Sequence, residues 1–421
     1  MILISIDDTF ISNAYSSMKN IIMGNATLFN GNRGCVALTI TTITIIDRIF
    51  REAGEEYRLY LADCGGSKKE GRQYKAECLQ ALNYTQCQSI QLNAKTLAKY
   101  ILKRGSTDVD LYRNADFIID IGQGDSFADI YGKQRFELID GVHRTARLFG
   151  KPYCLLPQTI GPFNDEKIRS QAVKSIERAT LVMARDKQSL DYVNKIAPNQ
   201  KKVREYIDVA FFMPYKKMEF SKDFIHVGLN VSALLWNGGY TQDNQFGLKG
   251  DYQRLVRSLI DYFLSMPNVM LHLIAHVVSA ERHIENDYAV NYDLWMEYER
   301  NPRLVLAPLA LTPIDVKGYI AGMDFFMGAR MHATIGAFSA GVPVVPMAYS
   351  RKFNGLFVDT LQYNHLADLK SMSETEVLDK VKEAFSKREE LKSVIDERMN
   401  GVVREREKIM IDDLKKFFGV L

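Results

Sequence analysis

The sequence is poor in net charge, in paired cysteines and in long apolar runs, and each shortage closes off a class of protein. Lys and Arg number 54 against 51 Asp and Glu, a formal charge of +3 over 421 residues, so no global field draws the chain to nucleic acid or to an anionic membrane. Any anionic ligand must be held by a local site. The five cysteines, Cys35, Cys64, Cys78, Cys87 and Cys154, are odd in number and lack the CxxC or Cys/His spacing that zinc requires. They read as reduced thiols of a cytoplasmic protein with no metal site. No apolar run nears the ~20 residues that span a bilayer, and MILISIDDTF meets Asp7 and Asp8 too early for an export signal. Solenoid-length repeats and low-complexity tracts are missing as well.

What is present is enough for two ordinary domains, with 47% of the residues apolar. Short β-rich runs alternate with amphipathic stretches, the signature of a parallel sheet covered by helices. Strands are expected at Ile2–Ile6, Tyr57–Ala62, Asp116–Ile121, Pro152–Leu156 and Leu181–Arg185, with helices at Ala37–Arg51, Phe136–Phe149, Asp165–Ala179 and Gln188–Ile196. The glycine- and charge-rich stretch Asp63–Gln91 reads as an irregular insertion. The pattern breaks at MPYKKMEFSKD and restarts at Ile225–Asn230. The expected division is therefore an N-terminal α/β domain (1–220), a second doubly wound α/β domain (221–370), and C-terminal helices (371–421) packing back on the first. A ligand cleft belongs between the two domains, near the carboxyl ends of strands.

One apolar stretch of the second domain, MGARMHATIGAFSAGVPVVPMAY, sets Arg330 and His332 one residue apart. Both are costly to bury unpaired. The spacing places them where a strand ends and a helix begins, so helix-terminal N–H groups and a guanidinium converge on an anion. An imidazole in that position suits general acid catalysis. The competing explanation pairs Arg330 with a carboxylate such as Asp324 and makes His332 a satisfied core histidine. Other strand ends and loops offer weaker candidates for contact with an acceptor: Asn32 and its glycines in GNRGCVAL, Gly124 and Asp125 in DIGQGDSF, Gln158 in LLPQTIGPF, Ser232 after Asn230, and His276 in LIAHVV. Asp125 could accept a proton from a hydroxyl or merely cap the next segment. Trp236 could stack on a sugar or fill a domain interface.

The segment GARMHATIGAFSAGVPVVPMAYSRKFNGLF resembles the C-terminal signature of the polysaccharide pyruvyl transferase family, and GNRGCVAL, FIIDIGQGDSFADIYG, LLPQTIGPF, TLVMARDKQSLDYV and HVGLNVSALLW follow in the family's order. Where relatives show three glycines in a row, this chain has Gln123 between Gly122 and Gly124. The resemblance implies a GT-B-like pair of domains facing across a cleft. It also implies transfer of pyruvate from phosphoenolpyruvate to two hydroxyls of a sugar, as a cyclic ketal. The family's Arg and His fall on Arg330 and His332, with Met331 between them beside the donor, and its donor-holding Arg and Lys fall on Arg185 and Lys352.

In this reading His332 protonates the donor's methylene carbon, while Arg330 and Arg185 neutralise its phosphate and carboxylate with the helix N-terminus assisting, and Lys352 lies near the donor. No cofactor is expected besides the donor substrate. The acceptor is a sugar of a cell-surface polysaccharide or its lipid-linked precursor, which would bring the protein near a membrane without anchoring it there. Two alternatives stay open at this level: a GT-B glycosyltransferase using a nucleotide sugar, and a catalytically silent binding protein of the same fold.

Overall fold

The computed structural model describes residues 18–28, 30–63, 84–88, 107–279, 283–309 and 311–421. The expected strand Ile2–Ile6 and most of the stretch between Asp63 and Gln91 lie outside these residues. All described strands pair in parallel, in two sheets. The first is built from β1 (Lys19–Ala26), β2 (Tyr57–Asp63), β3 (Tyr84–Gln88), β4 (Phe117–Asp120), β5 (Tyr153–Gln158), β6 (Leu181–Ala184) and β7 (Val203–Glu205) in the order 3-2-1-4-5-6-7. The second comprises β8 (Ile225–Asn230), β9 (Val269–Leu273), β10 (Leu304–Leu306), β11 (Phe325–Gly328), β12 (Val344–Ala348) and β13 (Ala367–Asp368) in the order 10-9-8-11-12-13. The sequence pattern missed β1 and β3; Tyr84–Gln88 corrects the expected irregular insertion, since this run of five residues pairs along β2.

In the first half the helices are α1 (Arg33–Ala53), α2 (Thr107–Asn114), α3 (Lys133–Leu148), α4 (Glu166–Arg178) and α5 (Lys187–Ile196). In the second they are α6 (Ala233–Trp236), α7 (Tyr252–Leu264), α8 (Asp287–Glu297), α9 (Pro313–Ala321), α10 (Met331–Ser339), α11 (Arg351–Phe353), α12 (Glu374–Ser386), α13 (Arg388–Arg398) and α14 (Arg404–Phe418). No helix among the described residues is long and apolar enough to cross a membrane.

Helix α1 shows how a β-branched segment stays helical. Its threonine hydroxyls bond back one turn, Thr41 to the Ala37 carbonyl and Thr42 to that of Leu38, both at 2.8 Å, so buried hydroxyls are satisfied without leaving the helix. Asn32 caps its N-terminus by accepting from the Gly34 N–H at 3.0 Å, and Gly54 closes it in the left-handed conformation. Thr312 with Asp315 and Ser373 with Glu376 form capping boxes on α9 and α12. Helix α8 begins at Asp287 because Asn286 caps it, its side chain accepting from the Ala289 N–H.

The C-terminal helices do pack back on the first half. Lys415 of α14 meets Glu52 at 2.9 Å, Arg48 meets Glu407 at 3.0 Å, and the Phe418 ring lies 5.3 Å from that of Phe50 and 5.4 Å from that of Phe117. One apolar core runs from the first sheet through α1 and α10 into the second sheet, and a smaller one covers the far face of the first sheet.

The strand orders fix where a ligand belongs. Each sheet reverses its winding once, between β1 and β4 in the first and between β8 and β11 in the second. Loops leaving the carboxyl ends of such neighbours diverge and open a crevice. The segments GNRG, GQGD, NVS and GARMH leave from those four strands.

Candidate functional site

At the first switch point, Gly122, Gln123 and Gly124 follow one another with φ of 52°, 47° and 89°. Three successive left-handed residues suit glycine, and Gln123 is accommodated with its side chain accepting from the Arg135 guanidinium. Beneath the loop lies a buried polar layer. His143 is held between Asp120 Oδ2 at 2.9 Å and Asp140 Oδ1 at 3.1 Å, and Asp120 also takes the Gly122 N–H at 3.0 Å. Against the downward pull of burial, Asp120 and Asp140 raise the His143 imidazole to about 9. Gln158 belongs to this layer: fully buried, it donates to the Asp120 carbonyl at 3.1 Å, and a β-carbon on Gly122 would fall 1.7 Å from its Oε1. It braces the loop and does not face the cleft.

At the second switch point, Arg330 ends the strand side of the turn and Met331 opens α10. The Arg330 N–H donates to Asn230 Oδ1 at 2.9 Å. Its guanidinium is absorbed by neighbours: Nη2 and Nε reach Asp287 Oδ1 at 2.8 and 3.2 Å, Nη1 reaches Glu285 Oε2 at 3.2 Å, and Nη2 also donates to the Glu285 carbonyl at 3.1 Å. Asp324, the carboxylate the sequence offered, instead receives the His226 N–H at 2.7 Å. Asp287 is a buried hub that also takes the N–H groups of Ala233, His276 and Val277 at 2.9, 3.1 and 2.8 Å. Met331 and Ser232 are buried behind this turn. Trp236 lies under Arg257, whose guanidinium sits 4.9 Å from the ring centre.

The two switch points face each other. The GNRG segment zips onto the segment after β9: the Arg33 N–H donates to the His276 carbonyl at 3.2 Å, and Val278 donates to the Gly31 carbonyl at 2.8 Å. Asn32 pairs with Val277 as an antiparallel bridge. The Arg33 side chain reaches the carbonyls of Ala275 and Leu309 at 2.8 and 2.7 Å. GNRG thus serves as a joint between the sheets as well as a helix start. His332, in the first turn of α10, inserts across this joint against two glycines. A β-carbon on Gly34 would lie 2.3 Å from His332 Nδ1, and one on Gly124 would lie 3.8 Å from its Cε1 and 3.1 Å from Arg185 Nη1.

Around His332 the charges are paired but unequally. Its Nε2 is buried without a hydrogen-bond partner and stands 3.7 Å from Asp208 Oδ2, too far for a hydrogen bond and close enough for attraction. Asp208 is buried, receives Arg185 Nη1 at 2.8 Å and caps the 3-10 turn Val209–Phe212 through the Ala210 N–H at 2.9 Å. Despite burial, which pushes it upward, His332 and Arg185 hold its carboxyl down to about 2. Arg185 also bonds Thr159 Oγ1 at 2.8 Å through Nε. The His276 ring stacks beside that of His332, 6.4 Å between centres; burial first, then the charges of His332, Arg33 and Arg330, keep it well below the usual histidine range and neutral.

Nearer the mouth, Lys352 and Asp125 meet across the sheets at 2.9 Å, each with about a fifth of its side chain exposed. Tyr131 donates to the same Asp125 oxygen at 2.9 Å. Burial pushes the Asp125 carboxyl up, but Lys352 and Arg185 overcome it and hold the group ionised.

His332, Arg185, Lys352, Asp125, Gly124, Asn32 and His276 are therefore gathered at one place, whereas Gln158, Ser232 and Met331 support it from behind. Sequence reasoning missed Asp208, Asp287 and Glu285. Asp208 in EYIDVAFF carried one signal, an acid directly before an apolar turn at the expected domain junction; the other two stand in a segment whose composition says little.

The chain resembles known proteins in sequence and in fold. Over 317 residues the chain is 21% identical to the amylovoran biosynthesis protein AmsJ of Erwinia amylovora, a match spanning 73% of this chain and 74% of that one. Among solved structures, the UDP-N-acetylglucosamine 2-epimerase described from Listeria monocytogenes superposes with a TM-score of 0.59 at 11% identity, covering 96% of this chain and 98% of that one. The Anabaena protein Alr3699/HepE in complex with UDP-glucose gives 0.57 at 13% identity, covering 94% and 99%. At such identities these structures establish the shared GT-B-like fold and no more. The family model described as polysaccharide pyruvyl transferase matches residues 41–351, which takes in the GQGD loop, Arg185, Asp208 and the whole Arg330–His332 turn, and the chain belongs to that family.

Proposed function

We propose that the protein transfers pyruvate from phosphoenolpyruvate onto two hydroxyls of a sugar in a polysaccharide or its lipid-linked precursor, forming a cyclic ketal and releasing phosphate. The observation that carries this is the His332 imidazole, wedged between Gly34 and Gly124 at the meeting of two strand switch points, with its Nε2 unbonded beside Arg185 and Asp208. A buried acid beside cations is what an anionic enol ester requires.

In this scheme His332 gives a proton to the methylene carbon, and positive charge develops on the neighbouring carbon, which one sugar hydroxyl attacks. The C–O bond to phosphate then breaks with its electron pair, and the second hydroxyl closes the ketal. Of the two hydroxyl protons, one replaces that given by His332 and the other leaves with phosphate.

The cations divide by how readily they exchange partners. Lys352 is paired with Asp125 near the mouth, about a fifth of each side chain exposed, and can trade that carboxylate for a donor oxygen. Arg185 keeps Asp208 and Thr159 through Nη1 and Nε, leaving Nη2 for the donor. Arg330, saturated by Asp287 and Glu285, contributes charge and holds the α10 N-terminus toward the cleft. Asp125, held ionised, orients an acceptor hydroxyl by accepting its hydrogen bond.

The test is incubation with phosphoenolpyruvate and nitrophenyl galactosides, glucosides and N-acetylmannosaminides, reading phosphate release and an acidic ketal product. Absence of both turnover and phosphoenolpyruvate binding across the panel overturns the proposal, as does turnover of a UDP-sugar in its place.

A further inference from the structure

Two tyrosines stand at the cleft mouth, each a little under half exposed, with their hydroxyls tied down. Tyr131, 42% exposed beside Ile130 at 58%, follows the GQGD loop of the first sheet; Tyr240, 47% exposed, lies in the loop after α6 of the second. Tyr131 donates to Asp125 at 2.9 Å. Tyr240 donates to Glu285, and its N–H is fixed on Gln245 Oε1 at 2.7 Å. Each carboxylate in turn holds a cation of the site, Lys352 on Asp125 and Arg330 on Glu285. The two phenols lie within electrostatic reach of each other: Asp125 first, then burial, Tyr349 and Tyr240 push the Tyr131 hydroxyl upward.

We infer that Tyr131 and Tyr240 form the platform on which the acceptor's pyranose ring is seated, a conclusion that rests on the transferase reading above. A pyranose has an apolar C–H face and a polar hydroxyl edge. A fixed aromatic ring beside a carboxylate and an ammonium matches both. The donor has no use for such rings, since it is small and anionic and is served by Lys352, Arg185 and His332 deeper in. Because the tyrosines come from opposite sheets, a sugar held by both is also held across the cleft, with its hydroxyls toward Asp125. Fixing each phenol in advance removes rotamer entropy that the sugar would otherwise have to freeze.

The experiment is saturation-transfer NMR on the full chain with methyl galactoside, methyl glucoside and N-acetylmannosamine, comparing wild type, Tyr131→Phe, and the double variant Tyr131→Ala with Tyr240→Ala. Transfer to the ring C–H protons of at least one sugar is expected in wild type and in Tyr131→Phe, and is lost in the double variant while its circular dichroism and melting point stay at wild-type values. In steady-state kinetics the double alanine variant raises the sugar KM by at least about tenfold, in line with losing two aromatic contacts, and leaves the phosphoenolpyruvate KM within about twofold of wild type. Absence of transfer to any sugar, transfer retained in the double variant, or displacement of the sugar by UDP overturns the platform. Sugar binding that depends on the tyrosines, with no phosphate release from phosphoenolpyruvate, supports the platform and sinks the transferase reading; turnover with an unchanged sugar KM does the reverse.

Discussion

Arg330 and Lys352 carry the same charge in one cleft and should respond unequally to removal. Asp287 is fully buried and fixed by three backbone N–H groups, so Arg330→Ala strands a carboxylate that cannot relax. Loss of about 3–5 kcal/mol of stability is expected in urea unfolding. Lys352→Ala leaves Asp125 about a fifth exposed and still bonded to Tyr131, so it should cost less stability than Arg330→Ala, while raising the phosphoenolpyruvate KM. For His332→Ala, kcat should drop by roughly 10²–10⁴-fold with phosphoenolpyruvate still bound, as calorimetry can read. His143 gives a pH signature. Its imidazole is raised from 6.5 to about 9, so the folded state holds a proton that the unfolded chain releases earlier. Its stabilisation is complete below about 6.5 and is lost as pH rises through about 9. The stability gap between wild type and His143→Gln should accordingly be widest in acid and close across that window.

The meeting of two helix starts governs the element scale. The N-terminal turn of α10 presents His332 to the N-terminal turn of α1, and the contact exists because position 34 has no side chain. Gly34→Ala puts a methyl into the imidazole, so turnover should fall by at least about tenfold even though alanine favours a helix by about 1 kcal/mol; a melting point near wild type with lost kcat is the expected pair of readings. Most of these elements were legible beforehand. The strand ending at Gly328 and the helix behind His332 follow from periodicity and glycine placement. β1 was not, because KNIIMGNA reads as one short apolar cluster without alternation, being buried on both faces. The partner of Arg330 was equally hidden: Asp287 stands 43 residues earlier in the chain, and only the pairing of β8 with β9 and β11 brings the two together.

At the scale of the whole molecule, α14 is fastened to the first sheet. Phe418 is buried between Phe50 of α1 and Phe117 of β4, so Phe418→Ala should cost about 3–5 kcal/mol, seen as a lower melting point with kcat at 25 °C little changed. That α14 returns to the first sheet was readable from its helical periodicity only as a tendency; the aromatic trio that fixes it joins residues far apart in sequence. The passage between the halves rests on the 3-10 turn Val209–Phe212. Asp208 ties the start of the turn to Arg185 of the first half. Lys317 of α9, buried in the second, ties its far end by donating to the carbonyls of Phe211 and Met213, both at 3.0 Å. Prising the sheets apart must break one fastening or withdraw His332 from Asp208. His332 therefore faces Asp208 only while the two sheets stay together, so the same contacts that join the halves also set the charge beside the imidazole.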